Sequence, residues 1–551
     1  MKYLNKLFKR EIFKPLLLIV IVGAVYIRML EGFFQQDEWF SYSWYILHKD
    51  LSIIDSFKFF FAPSVGHYNP LTNLLQHNLF SLMGMNYTNF ALIGILLHLS
   101  VVIILYYFAK ILFGKNSTIS FFVTLIFGLF ASTYQGVSWV VADMSTLLAS
   151  FLGIVSAMFY ISFLKNNKIT HLLWSLVVLI VSLMFKEITI GLFILYFLFT
   201  IWNKKSKLSN KYLYIIFGFG ISYFLLRLVM VFLPNTTNDS LATASQPVNN
   251  IIYNLFTLSA KSIAQILLPP TSIKYLIHTI YKMFSIIPND LIVDKITSLS
   301  STIIGISVII YVFLFQRRVK DTGYRCILVF GLGWAIVNSF IFSISPESAG
   351  SLVIVDSRNL YFSSIGVAMV IVSLVSSLCK YNLKKIVLIL TAIALLNSYL
   401  LINYLNKAGD MGRERKYILK QITLAHKDLS EKTVIFISSN SSYYGLPDDE
   451  KIPPFQSGLG QTLLVWYYQV ENFPNSFYEN RFLWDIRSQG YAEFDNRGFG
   501  YFRDFEKLKG AIIDKKLSPE IVVAFKWDYN TKSLTEITKE IQAKLKNEIS
   551  K

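Results

Sequence analysis

The amino-acid sequence predicts a polytopic α-helical membrane protein that ends in a small α/β domain. Three observations carry that expectation. Hydrophobic residues make up 54% of the 551 and the mean hydropathy is +0.48, whereas soluble chains hold about 45–50% apolar residues and no long uncharged runs. Apolar runs of about twenty residues, the length that crosses a bilayer core, recur along positions 1–405. From residue 406 onward those runs stop, and 22 Lys and Arg stand against 20 Asp and Glu.

The first run, Pro15 to Phe34, follows the basic segment MKYLNKLFKR. It is too long for a signal-peptide core, contains Arg28 and lacks a small-residue cleavage pattern, so it reads as a retained helix. Further helices are expected near 90–109, 118–134, 145–163, 171–185, 188–202, 212–233, 297–316, 326–344, 361–379 and 386–405, which makes eleven. Twenty basic residues fall in the N-terminal segment and in every second loop, around 110–115, 165–168, 204–211, 317–325 and 380–385, against only Glu11 and Asp321. The long loops 35–89 and 234–296 fall on the other side. By the positive-inside rule the N-terminus lies inside and the C-terminus outside, with the chain in a plasma membrane. The run 251–268 contains Lys261 and stops at Pro269-Pro270, so it is expected to lie along the outer face as an interfacial helix. The two expected domains are therefore 1–405 in the membrane and 406–551 outside it. In the second, TVIFIS (433–438) and IVVAFKW (521–527) read as strands, 535–549 as a charged helix, and 440–460 as loop.

The net charge of +18 belongs almost wholly to the membrane part, where it sits in short loops. That is an orientation signal, not a groove for nucleic acid. Cys326 and Cys379 fall at expected inner helix ends and the tail has none, so no disulfide framework or cysteine metal site is available.

Charged side chains at a membrane boundary are costly and are functional candidates for that reason. Asp37 and Glu38 leave the first helix within FFQQDEWFSYSWYILHKD, a segment whose aromatics alone could be an interfacial belt. A half-buried carboxylate can serve as a general base. Neighbours on a helix diverge by about 100°, so only one of the two is expected to face a substrate. His67, Tyr68 and Asn69 precede Pro70, which opens an amphipathic helix. Lys186 and Glu187 sit at an outer helix end, as an interfacial ion pair or as substrate contacts. Arg358 opens the helix after VDS on the outer side, against the charge trend, and its planar fork suits a phosphate. Arg227 is placed to snorkel or to line a cavity. Arg28 and Glu31, three residues apart, are expected to neutralise each other; His98 reads as a hydrogen-bonded structural residue and Asp143 as a helix cap. Carboxylates, a histidine and an arginine on one face suit transfer of a sugar from a lipid phosphate.

These residues resemble the GT-C superfamily of polyprenyl-phosphate-sugar glycosyltransferases, whose members carry an acidic motif in the first outer loop, where Asp37-Glu38 stands. The likeness is closest to the membrane part of the tetratricopeptide-repeat O-mannosyltransferases and their bacterial relatives, although this chain has no such repeat. HYNPLTNLL (67–75) with NFALIGILLHLS (89–100), FKEITI (185–190) and SRNLYFSSIG (357–366) are similar to the family's motifs in order. Asn69 stands where the relatives often have Arg, Ser357 replaces a Glu, Ser363 a Pro, and WVVADMSTLLA (139–149) lacks the usual Arg. The resemblance implies inverting transfer with Asp37 or Glu38 as base. By their own chemistry and placement, Arg358, Lys186 and Arg227 are the candidates for the donor phosphate, and His67, Tyr68, Asn69 and Glu187 for substrate. The implied partners are a polyprenyl-phosphate sugar, membrane lipid and an acceptor the sequence does not name. Some members use a divalent metal and others none, and the sequence does not choose. The alternative from another class is a multi-pass transporter or lipid flippase, which calls for charged or broken helices at mid-membrane.

Overall fold

A computed structural model describes residues 12–35, 37–62, 68–114, 116–141, 144–202, 210–232, 248–285, 289–319, 321–344, 355–441, 454–455, 458–468, 473–479 and 482–550. The bundle runs α1 (Phe13–Tyr26), α2 (Asp37–His48), α3 (Ile53–Phe60), α4 (Pro70–Met83), α5 (Tyr87–Leu112), α6 (Ser117–Leu129), α7 (Met144–Asn166), α8 (Ile169–Phe185), α9 (Gly191–Trp202), α10 (Asn210–Phe232), α11 (Val248–Leu267), α12 (Pro270–Met283), α13 (Asp290–Phe315), α14 (Thr322–Phe340), α15 (Tyr361–Leu378) and α16 (Leu383–Ala425). Among the described residues, seven helices are long and apolar enough to cross a membrane: Phe13–Glu31, Tyr87–Leu112, Met144–Asn166, Leu291–Arg318, Thr322–Phe340, Ser357–Leu378 and Leu383–Ala425. Ser117–Leu129, Ile169–Phe185 and Glu187–Ile201 are shorter apolar helices. The architecture is a polytopic helical bundle of membrane type with a small C-terminal sheet.

Local chemistry sets the helix starts. Asn86, Asn116 and Asn382 each stand just before a helix and accept a hydrogen bond from a backbone N–H in its first turn, supplying a partner that the helix itself cannot. Inside, polar contacts join helices that apolar burial alone would not orient. Ser156 Oγ of α7 donates to the Ser175 carbonyl of α8 at 2.8 Å, and Trp334 Nε1 of α14 donates to the Phe362 carbonyl of α15 at 2.9 Å. His98 is buried, with Nδ1 2.7 Å from the Tyr361 hydroxyl and Nε2 3.2 Å from the Gly128 carbonyl, the hydrogen-bonded role expected of it.

Three expectations need correction. The helix α11 is not free along one whole face: in its second half Leu258, Ala260, Lys261, Ser262, Ile263, Ala264, Gln265 and Ile266 are all buried, whereas Ile252, Tyr253 and Phe256 in its first half are exposed. It packs against α13, α14 and α15, with Ser259 Oγ donating to the Ile336 carbonyl and Gln265 Oε1 accepting from Val355 N. Its polar residues find partners inside the bundle, which a reading of Lys261 as a surface marker missed. Arg28 and Glu31 do not turn to each other. The chain there tightens into the 3-10 segment Ile27–Glu31, and each finds the long last helix instead, Arg28 at Asn406 and Glu31 at Arg413. The expected domain boundary at 405/406 falls inside α16, a single helix of 43 residues and thus about 65 Å long. Beyond Leu405 its apolar stripe continues as Ile418, Leu419 and Ile422, all buried. Asp143 lies outside the described residues.

The tail adds β1 (Lys432–Ser439), α17 (Leu459–Tyr467), β2 (Gly490–Phe494), β3 (Arg497–Phe502), α18 (Phe505–Asp514), β4 (Val522–Asp528), β5 (Ser533–Glu536) and α19 (Thr538–Ile549). Its sheet has the order β2-β3-β1-β4-β5, parallel in the centre and antiparallel at both edges. Strand alternation sends Val434, Phe436, Val522 and Ala524 to one face, where Leu508 of α18 and Leu545 of α19 cover them. Ile435, Ile437, Phe525 and Trp527 face the other way and join the core of the helical bundle.

Candidate functional site

The first helix ends in the 3-10 turn and then in extended chain at 32–35, which leads into α2. Arg415 of α16 holds that chain. It is 3% exposed, and its guanidinium donates to the Phe34 carbonyl at 3.1 Å and the Phe33 carbonyl at 3.4 Å. Gly412, one turn earlier, lets the two backbones meet: a Cβ there would sit 2.6 Å from Phe33 N. The signal in the sequence was Gly412 and Arg415 at helical spacing, but they fell in a segment read as soluble tail.

The acidic pair at the start of α2 divides sharply. Glu38 is 1% exposed. One carboxylate oxygen accepts from Gln35 N at 2.8 Å, and the other from Val141 N at 2.9 Å. A carboxylate reaching back over the first turn of its own helix is a capping contact, and the second bond ties α2 to the segment before α7. Asp37 points the other way. Its side chain is 51% exposed and stands 3.8 Å from the Arg358 guanidinium. Arg358 is itself only 15% exposed, sits 3.7 Å from Asp356 and lies over the Trp139 ring at 4.7 Å from its centroid. Asp356 and Trp139 were not singled out from the sequence; Trp139 lay in a segment noted only for its missing Arg. A guanidinium stacked on an indole and flanked by two carboxylates is oriented rather than free to sweep.

A second group gathers at Glu187, in the 3-10 turn after α8. Glu187 accepts from Tyr68 N at 3.1 Å and lies 3.7 Å from Arg227. With the Asn69 amide nitrogen turned inward, it donates to Glu187 and to the Tyr68 carbonyl, 3.2 Å each. The Arg227 guanidinium stands 5.7 Å from the Tyr68 ring centre. Burial raises the Tyr68 phenol above its usual value, with the charge of Arg227 pulling the other way. Lys186 donates to Thr146 of α7 at 2.7 Å. His67 lies outside the described residues.

The stretch 139–146 links the groups. Trp139 lies under Arg358, Val141 N binds Glu38, the Val141 carbonyl accepts from Gln76 of α4 at 2.8 Å, and Thr146 takes Lys186. Tyr68, Asn69, Glu187 and Arg227 thus come together in one group, and Asp37 and Arg358 in another. Glu38 is withdrawn into the core.

Among the described residues no three His, Cys, Asp or Glu side chains form a group that could hold a metal ion. Asp37 and Asp356 are bridged by a guanidinium, so they do not fit a divalent cation as they stand. No protein-family model matches this sequence, and no curated protein matches it; the GT-C resemblance rests on the quoted motifs.

Proposed function

We propose that this chain is an inverting membrane glycosyltransferase that moves a sugar from a polyprenyl-phosphate donor to an acceptor hydroxyl on the extracytoplasmic face. In this reading the helices make eleven crossings, with the N-terminus inside and the C-terminus outside. The single observation that carries the proposal is the pairing of a half-exposed Asp37 with an oriented, largely buried Arg358. The acceptor oxygen bonds to the anomeric carbon as its proton passes to Asp37. The bond from that carbon to the phosphate oxygen breaks, and its electron pair leaves with the lipid phosphate. Arg358 meets the charge of that leaving group. The ion pair between the two residues is long and partly solvated, and such pairs hold weakly, so a phosphate can enter between them. Arg227, aligned by Glu187 and Tyr68, and Lys186 offer further cations for the donor. Glu38 serves as the structural anchor of α2.

The test is a screen of polyprenyl-phosphate sugars with the purified full-length protein, read by mass as released lipid phosphate. Turnover that vanishes in Asp37→Asn supports the proposal; an Asp37→Asn variant as active as the parent removes it. One observation favours the transporter or flippase reading instead. Lys261 is 1% exposed within a helix packed inside the bundle, and a buried ionisable residue at such a place is a common mark of a transport path. Substrate accumulation in vesicles without donor cleavage, lost in Lys261→Met, would decide for it.

A further inference from the structure

The exposed side of α2 carries more than Asp37. Phe40, Ser41, Trp44 and His48 follow at helical spacing on the same side, and each is half-buried rather than packed away. Phe40 lies 6.1 Å from Trp44 at a steep angle, and Trp44 stacks on His48 at 5.0 Å with 14° between the planes. Trp484, from the tail, completes the row against Phe40, with ring centres 4.2 Å apart.

Trp484 is held there by an unusual backbone. Leu483, just before it, has φ of +60° and is buried. A bulky residue in the left-handed region is unfavourable and persists only where its surroundings over-determine it. Here they do. Gly458, itself at φ +76°, leaves no room for a Cβ, which would fall 2.7 Å from the Trp484 carbonyl. A Cβ on Gly460 would fall 2.7 Å from that of Leu483. Gln461 then ties the loop to α2: its backbone N–H donates to the Leu483 carbonyl at 3.3 Å and its side chain to Ser43 Oγ at 3.1 Å.

We infer that this aromatic row binds a carbohydrate, and that on the glycosyltransferase reading, on which this assignment rests, the carbohydrate is the acceptor. The C–H groups on one face of a pyranose are weakly positive and settle against the negative face of an aromatic ring. Its hydroxyls need polar partners at the rim, and exposed Lys49 and Asp50 lie just past the end of α2 while exposed Asp485 and Arg487 follow Trp484. Those charges speak against immersion in lipid. The row begins one helical turn from Asp37, so a sugar on Phe40 and Trp484 has a hydroxyl within reach of the base.

Full-length protein in lipid nanodiscs is titrated calorimetrically with chitotetraose, maltotetraose and mannotetraose, and the same sugars are offered as acceptors. Saturable binding of at least one is expected, weakened about tenfold in Trp484→Ala and in Trp44→Ala and less than about threefold in Trp484→Phe, which keeps an aromatic face. In transfer, the acceptor KM is expected to rise by the same factor while kcat changes little. Trp44→Ala leaves the tail loop intact and so separates loss of the platform from loss of the fold. Absence of binding by all three sugars, binding as tight as the parent's in both alanine variants, or transfer only to lipid or peptide hydroxyls overturns the inference. Saccharide binding without any donor cleavage keeps the carbohydrate surface and sinks the glycosyltransferase reading.

Discussion

The division of Asp37 from Glu38 is the sharpest consequence of the geometry, and a pair of conservative substitutions tests it. Glu38→Gln replaces two accepting oxygens with one oxygen and one NH2 group. The carboxylate now accepts from Gln35 N at 2.8 Å and from Val141 N at 2.9 Å, so one of those donors must face another donor. A buried donor left without a partner costs about 1–3 kcal/mol. A loss near 2 kcal/mol in the local opening free energy speeds amide exchange about thirtyfold. Hydrogen exchange by mass spectrometry on peptides covering 33–42 and 137–146 reads it directly. Asp37→Asn weakens a long, half-exposed ion pair, and such pairs are worth less than about 1 kcal/mol, so exchange there should change by less than about fivefold. Turnover should instead fall by about 10²–10⁴, the usual contribution of a positioned base. If Glu38→Gln abolished turnover while both peptides kept their protection, Glu38 would be the reacting carboxylate and the reasoning from its burial would be wrong.

Arg415→Met is expected to cost about 2–3 kcal/mol by leaving the Phe33 and Phe34 carbonyls without their charged donor, seen as a lower melting temperature and a lower kcat; Arg415→Lys should recover little, since one ammonium cannot reproduce the fork. Glu187→Gln keeps an acceptor for Tyr68 N but removes the charge that aligns Arg227, so the donor KM should rise about tenfold, equivalent to about 1.4 kcal/mol, with stability little changed, as steady-state kinetics and thermal scans would show. His77 is nearly buried beside Tyr45 and Phe60, and burial, with the nearby charge of His48, lowers its pKa below the ordinary 6.5. The folded form then takes up the proton less readily than the unfolded one, so this contribution to stability is full above pH 6.5 and is lost as pH falls below it; melting curves against pH should show that loss in the parent and not in His77→Phe. Truncation after residue 405 should yield no stable protein, because Trp39 and Phe33 would lose the cover of Trp466, at about 2–3 kcal/mol for each large side chain exposed; size-exclusion chromatography of the expressed fragment checks this.

The hydrophobic helices were legible in the sequence because their signal is local: length, apolarity and a polar or asparagine break at each start. Each of the eleven expected segments is largely helical in its described residues, and among the described residues seven helices meet the length and hydropathy of a crossing. The strands β2 and β3, at one side of the sheet, escaped notice because they are short, yet their turn was written in plain terms. Asp495 and Asn496 both take positive φ, as a two-residue hairpin turn requires. The pairing within the site was legible only in part. Helical geometry says that Asp37 and Glu38 must diverge; it does not say which turns inward. That choice is made by the Val141 amide, a hundred residues away, and by an arginine on the last membrane helix that pins the chain just before α2.

The same dependence on distant chain explains why the expected boundary between residues 405 and 406 falls inside a helix. Composition changes abruptly near residue 406, and a change of composition is a good sign of a change of solvent. It is a poor sign of a change of rigid unit, because a helix crosses from one solvent to another without a break in its hydrogen bonds. In α16 the buried stripe of Ile386, Leu390, Leu401 and Leu405 runs on without a break through Gly409, Gly412, Arg415 and Ile418. The sheet beyond it turns one face to its own helices and the other to the bundle. A tail that merely hung from the membrane would need neither the continued stripe nor the second face. Both are present, and the tail reaches α2, the helix that carries Asp37, through Gln461 on Ser43 and Trp466 against Trp39. The tail therefore belongs to the framework of the candidate site, and substitutions at Gln461 or Gly458 should disturb α2 as surely as substitutions within it.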